Sequence, residues 1–475
     1  MKKHLLILVC IFLVQKSYSQ KFNADLIIKD ISIVDIVNNK IVPHQSVVIS
    51  KDVIKATGNY KVIQSAYKAK LIIVGTGKYI MPSLWDMHVH FGGDTLIGEN
   101  KLLLPLYTAM GISHVRDCAG DISDSVIAWK KAIQENRLEG PSIFTSGPKL
   151  EGIKSIWPGD LEIGTEQALK LALDSLQKLQ VDFVKITDNT LEPNLFLKSI
   201  MAARKRGWKV TGHIPATMTV ATYANAGLSA IEHIGYLQRA ASEKEDSITK
   251  LRADGKINNK EASILYLNSF NKEVAIEKFK NLAANGTAVV PTINGSFKTT
   301  YLDTYDFSKD EYLKYLGPAF KRTYGWRIQR AANDNAEAIQ FRHANFEAAA
   351  NLLPVLYKAG VTILAGTDAG FLNSYNYPGL GMHEELAIMV KYGLTPQEAL
   401  ICSVVNGPAF FGLQKEYGSV AKNKKADLLI LNANPLEHIQ NTQAIVGFLR
   451  KGKYLDRQYL NSLLEKVQKD VSMLK

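Results

Sequence analysis

The sequence predicts an α/β protein, a (β/α)8 TIM barrel with a small β-sandwich domain built from both ends of the chain. Three observations carry this expectation. Over residues 81–415, short apolar strands alternate with helically periodic segments, which is the pattern of a parallel sheet. Eight such strands can be counted, the number a closed barrel needs. Residues 20–80 and 416–475 instead read as short alternating strands broken by turns, so the two ends are expected to meet in one small β-domain.

The eight candidate barrel strands are residues 80–90, 113–117, 142–146, 183–186, 209–214, 230–234, 288–292 and 362–368. Each is a short β-branched or apolar run bounded by Gly, Pro, Asn or Asp. Segments such as 166–179 and 195–206 separate them with apolar residues at helical spacing. Two stretches, near 238–285 and 296–346, are too long for ordinary connections. They are rich in Lys, Glu and Ala and are expected to form helical insertions over the barrel mouth. In the terminal domain, residues 26–28, 31–34, 47–49 and 53–55 predict strands at the front. Residues 426–431 predict one at the back, and 445–449 with the Lys451-Gly452-Lys453 turn predict a hairpin.

Composition sets further bounds. Hydrophobic residues make up 46% and charged residues 21%, an ordinary globular balance rather than a disordered one. Lys2-Lys3, an apolar run over residues 5–14 and small residues at Ser17 and Ser19 read as a signal peptide over residues 1–19, with the mature chain starting near Gln20. The apolar run is well short of the ~20 residues that span a bilayer, so an exported, periplasmic or secreted protein with no membrane segment in its mature form is expected. Cys10 lies inside that run without a lipobox before it, so lipidation is not expected. Loss of Lys2, Lys3 and Lys16 would lower the formal charge from +12 to +9. The remaining lysines are scattered, and no arginine-rich run alternates with aromatics, which points to a generally cationic surface and away from nucleic acid. Cys118 and Cys402 are expected as buried thiols, not as a disulfide framework.

The histidines are the informative residues. Of ten, four fall at ends of predicted strands: His88, His90, His213 and His233. His88 and His90 are two apart in a strand, so both imidazoles face the same side and can share a metal. Asp368 ends the eighth strand. Lys185 lies inside the fourth between apolar neighbours, where an unpaired ammonium is costly. It would be paired with Asp368 or with a substrate carboxylate, or converted by carbon dioxide into an anionic carbamate. His114 and His383 are expected as satisfied buried histidines, and Arg116 as half of an ion pair with Asp117 or another acid. Neither G-x-S-x-G nor H-E-x-x-H occurs, which excludes the serine-hydrolase and zincin readings.

The set His88-x-His90, Lys185, His213, His233 and Asp368 resembles the amidohydrolase superfamily. It looks most like the imidazolonepropionase-like branch that includes zinc-dependent Xaa-Pro and Xaa-Arg dipeptidases. Further blocks match over residues 78–86, 379–386, 393–400 and 418–436, with Ser83 replacing a usual glycine. The resemblance implies that His88, His90 and Asp368 hold one zinc ion, that His213 and His233 hold a second, and that carboxylated Lys185 bridges them. It implies a hydroxide nucleophile, Asp368 as the group that moves the proton, Tyr236 as a substrate contact and possible assembly into a homo-oligomer. The expected activity is hydrolysis of an amide-type carbon–nitrogen bond in a short peptide, an N-acyl amino acid or a cyclic amide. Residues 146–150 lack a histidine that dipeptidase-like members carry after the third strand. The alternatives are a mononuclear cyclic-amide hydrolase or deaminase, and a non-catalytic binding protein, which should have lost a ligand.

Overall fold

A computed structural model describes residues 21–474; the signal peptide expected over residues 1–19 and the start near Gln20 lie outside them. Five strands come first: β1 (Phe22–Asp35), β2 (Lys40–Ser50), β3 (Val53–Gly58), β4 (Tyr67–Val74) and β5 (Tyr79–Pro82). Ten follow in the middle of the chain: β6 (Leu84–His90), β7 (Ile112–Asp117), β8 (Ser142–Thr145), β9 (Leu150–Glu151), β10 (Leu161–Glu162), β11 (Val184–Ile186), β12 (Val210–Gly212), β13 (Ala230–Glu232), β14 (Ala288–Val290) and β15 (Ala369–Gly370). The last three are β16 (Leu428–Leu431), β17 (Ile445–Arg450) and β18 (Lys453–Asp456).

Both ends of the chain meet in one eight-stranded sheet. Its order is β18-β17-β16-β5-β1-β2-β3, with β4 parallel to the first half of β1. The junction is β5, parallel to β1 on one side and antiparallel to β16 on the other. Period-2 alternation explains the pairing: Leu26, Ile28, Val47, Ile49, Ile80, Leu428 and Ile430 pack into one buried cluster, while Ala24, Ile27 and Val48 meet Ile63 on the other face. At the β17–β18 turn Lys451 and Gly452 both have positive φ (49° and 76°), as a two-residue hairpin requires.

The middle strands form two parallel sheets, β15-β6-β7-β8 and β10-β9-β11-β12-β13-β14. Hydrogen bonds join them on both sides. Asp182 N donates to Thr145 O at 3.0 Å on one side; on the other, Leu364 N donates to Val289 O and Met87 N to Ala365 O, both at 2.9 Å. The eighth predicted strand, 362–368, is therefore extended but pairs regularly only through a bridge at Ile363. Regular pairing resumes only after Asp368, whose φ is 62°, where β15 runs parallel to β6 through Ala369–Val89 and Gly370–His90.

The two long insertions are helical. Glu245–Ala253, Asn259–Asn268 and Lys272–Ala284 fall in the first, and Ile293–Thr300, Pro318–Arg322, Gly325–Ala332 and Ala336–Ala350 span the second. The end of the chain differs from the expected β-domain: Arg457–Ser472 is a helix, capped by Asp456 accepting from Tyr459 N at 2.8 Å. Its buried residues Leu460, Leu463, Val467 and Val471 have helical spacing, and Val467 and Val471 pack against Leu103, Leu106 and Phe320 of the central region. Among the described residues no helix is long and apolar enough to cross a membrane.

Cys118 and Cys402 are buried and free. His114 stacks on Trp85 with ring centroids 3.9 Å apart and meets Ser113 Oγ at 2.8 Å. His383 is wedged between Thr442 Oγ1 and Met110 O, each at 2.9 Å. Burial pushes His383 down to about 4, against the pull of the Met110 carbonyl. The unfolded chain takes up this proton near pH 6.5, the folded one only near pH 4, so the associated stability is full above pH 6.5 and falls as pH drops. His383 should account for a loss of about 2 kcal/mol between pH 7 and pH 5. Urea midpoints at those two pH values should lie closer together in His383→Gln than in the wild type.

Candidate metal centre

The four candidate histidines sit at or just past the carboxyl ends of β6, β12 and β13, where backbones diverge and leave room for side chains to converge; Asp368 directly precedes β15 and Lys185 lies within β11. His88 and His90 close β6 with their Nε2 atoms 3.0 Å apart. Asp368 Oδ1 reaches both, at 2.9 Å from His90 Nε2 and 3.3 Å from His88 Nε2. These three form one donor group able to hold an ion. His213 follows β12 and His233 follows β13, again with Nε2 atoms 3.0 Å apart, and the His233 ring lies 5.1 Å from that of His88.

Local backbone makes these directions possible. His233 and Asp368 have φ of 64° and 62°, an uncommon conformation for residues with a Cβ and one that clusters at functional sites. Gly366 lets the last strand approach the first, since a Cβ there would lie 2.8 Å from His88 N. Asp86 ties the same two strands together, accepting from Thr367 N at 3.0 Å, Thr367 Oγ1 at 2.7 Å and His88 N at 3.2 Å. Burial pushes the Asp86 carboxyl up to about 7.

Lys185, in the middle of β11, is 1% exposed and its Nζ has no hydrogen-bond partner. Burial lowers its pKa, partly offset by the charge of Glu232. Burial also pushes His88 down to about 3 and His233 to about 4, and holds His213 well below the usual histidine range. Burial acts to raise Asp368, but the hydrogen bond from His90 and the nearby imidazoles outweigh it and hold the carboxyl well below its usual range. Neutral imidazoles around an ionised carboxylate are the protonation states a metal requires of its ligands.

Tyr236 stands at the rim, its ring 5.8 Å from that of His213 and its hydroxyl donating to Asp188 Oδ1 at 3.3 Å. Burial and the Asp188 charge raise its pKa well above the usual phenol value, so it keeps its proton. Arg116 does pair with an acid, but with Glu232 rather than Asp117: its Nη2 lies 2.8 Å from each Glu232 oxygen. His114 and His383 stay outside the cluster.

Sequence reasoning missed four residues that shape the centre. Glu232 accepts from His88 Nδ1 at 2.7 Å. Thr292, at φ 48°, places its Oγ1 2.7 Å from His233 Nδ1. Glu385 accepts from Ile293 N at 3.0 Å and Asn294 N at 2.7 Å, which anchors the turn that carries Thr292. Asp188 holds Tyr236 and lies 3.9 Å from His213 Nδ1. The only signal for Glu232 was an acid next to a ligand in Ile231-Glu232-His233; its facing follows from the turn at His233, invisible in the sequence. Next to that turn a cavity of about 380 Å³ is lined by Gly235, Arg327, Arg330 and Arg342 among others. Arg342 is paired with Asp334, whereas Arg330 is exposed, with no ion-pair partner among the described residues.

The amidohydrolase family model matches residues 79–455. Among curated proteins, ochratoxinase of Aspergillus niger is 23% identical over 464 residues, covering 86% of this chain and 82% of its own. Among solved structures, bottromycin amidohydrolase superposes with a TM-score of 0.73 at 16% identity, over 94% of this chain and 91% of that one. A Xaa-Pro dipeptidase with bound methionine in its active site superposes with a TM-score of 0.64 at 17% identity, over 91% of this chain and 99% of the other.

Proposed function

The chain belongs to the amidohydrolase family, and on that premise we propose that it is an exported, metal-dependent enzyme cleaving an amide-type bond in a short peptide or N-acyl amino acid. Family membership makes it a hydrolase acting on carbon–nitrogen bonds. Export rests on the leader pattern of residues 1–19. We take the two parallel sheets as one closed (β/α)8 barrel, supported by the hydrogen bonds that join them on both sides, and the terminal sheet as the small β-sandwich.

The observation that carries the proposal is the Lys185 amine, buried without a partner beside neutral histidines and an ionised carboxylate. That donor set fits two divalent ions, zinc by preference, with His88, His90 and Asp368 at one and His213 and His233 at the other. Zinc bound there would lower the pKa of water and polarise an amide carbonyl. Burial lowers the Lys185 pKa and so favours the unprotonated amine, whose Nζ lone pair would attack carbon dioxide, forming an N–C bond and releasing a proton to solvent. The resulting carbamate would supply an anionic oxygen donor to the metals where the amine now has no partner. Asp368, ionised and hydrogen-bonded to His90, is the base that takes a proton and returns it to the leaving nitrogen. Tyr236 keeps its phenolic proton and would turn its hydroxyl from Asp188 to the substrate to donate a hydrogen bond there. In the cavity beside Ile234 and Gly235, Arg330 has no ion-pair partner among the described residues and would meet a substrate carboxylate, in keeping with a peptide or N-acyl amino acid more than a cyclic amide. The ochratoxinase and dipeptidase likenesses are in keeping with an amide-type bond.

Metal content by plasma mass spectrometry tests this directly, with wild type and Lys185→Ala purified in zinc and bicarbonate. About two ions per chain, falling in the variant, is the expected result. About one ion in both would defeat the carbamate bridge and move the search to mononuclear hydrolysis of cyclic amides and deamination.

A further inference from the structure

We propose that Glu232, held in place by Arg116, is a positioning residue that fixes the ring of His88 and makes the His88–His90–Asp368 position the tighter of the two metal positions. This rests on the metal-centre proposal above. Glu232, Arg116 and His88 are all fully buried. Glu232 Oε2 lies 2.7 Å from His88 Nδ1. Arg116 Nη2 holds both Glu232 oxygens at 2.8 Å, and its Nε donates to the Met87 carbonyl at 2.5 Å, one residue before His88. The carboxylate and the backbone that carries the imidazole are thus clamped by one guanidinium.

The chemistry follows from the inventory of donors. A carboxylate only accepts, so His88 Nδ1 must carry the proton, and the Nε2 lone pair is left facing His90 and Asp368. An anionic acceptor also makes the ring a stronger donor to a metal. His233 is supported differently. Its Nδ1 meets the Thr292 hydroxyl at 2.7 Å, a group that donates or accepts and carries no charge. His213, the other imidazole of that pair, has Asp188 Oδ1 3.9 Å from its Nδ1, beyond hydrogen-bond reach, so the two pairs have unequal support, and unequal affinity is the consequence. The rival explanation is that Glu232 serves only as the counter-ion of Arg116.

Zinc titration of the apoprotein against a chromophoric chelator separates the two explanations, with cobalt absorption as a second readout of ligand geometry. Glu232→Gln should weaken the tighter position by about 10–100-fold, change the visible cobalt bands and leave the weaker position within about twofold. Thr292→Val should act on the weaker position alone. Because Glu232→Gln leaves Arg116 unpaired, the double variant Arg116→Met/Glu232→Gln supplies a neutral pair with no stranded charge. If Glu232 positions His88, zinc affinity stays low in the double variant although its fold is sound by circular dichroism. Recovery of wild-type affinity there would overturn the proposal, as would a loss falling on the weaker position. A wild type that binds a single zinc would defeat the two-metal premise instead, and Glu232 would stand or fall on that one position by the same pair of variants.

Discussion

Asp368→Asn should cut turnover by a factor on the order of 10³ while leaving the fold intact. The carboxylate lies 2.9 Å from His90 and 3.3 Å from His88, so on the proposed mechanism it would be both a donor to an ion and the base that moves the proton. Asparagine keeps the shape and one oxygen but loses the charge and the proton affinity. It is also among the residues that best tolerate the left-handed backbone at this position, φ 62°, so the substitution adds little strain. Circular dichroism and the urea midpoint should therefore stay close to wild type while hydrolysis of any amide accepted by the wild type collapses. More than a tenth of wild-type turnover in the variant would show that another group moves the proton.

Arg116→Met is expected to have the largest effect on stability. The guanidinium is fully buried, pairs with Glu232 through Nη2 and stacks over Phe183 with its centre 5.2 Å from the ring. Methionine fills part of the volume but strands the Glu232 carboxylate, which Arg116 otherwise helps hold well below its usual pKa against the effect of burial. Breaking a buried pair in this one-sided way costs about 3–5 kcal/mol. Urea denaturation of the chelated protein measures it, and Arg116→Met/Glu232→Gln should recover most of the loss. A single variant within about 1 kcal/mol of wild type would mean that His88 or solvent neutralises Glu232 at little cost.

Much of the centre could be located from chain order alone. His88-x-His90 needs only the two-residue period of a strand to face one side, and His213 and His233 each directly follow a short apolar strand. Lys185 stood out because its neighbours in β11 are Val184 and Ile186. The insertions were legible as helices by composition and length. The helix Arg457–Ser472 was not foreseen: its apolar residues recur at helical spacing, but the preceding hairpin drew the whole end of the chain into the β-domain.

The sequence by itself determined which residues could carry chemistry and in what order the strands bring them up, because residue type and periodicity are local properties. Tertiary structure alone decided that Arg116 answers to Glu232 across the sheets and not to its neighbour Asp117. It also gave His88 a carboxylate and His233 a hydroxyl, and set Thr292 in place through Glu385, 93 residues further along the chain. Each of these is a contact between groups far apart in sequence, enforced by the cost of leaving a buried charge or hydrogen-bond donor unpaired, and no local pattern encodes which partner will meet that cost.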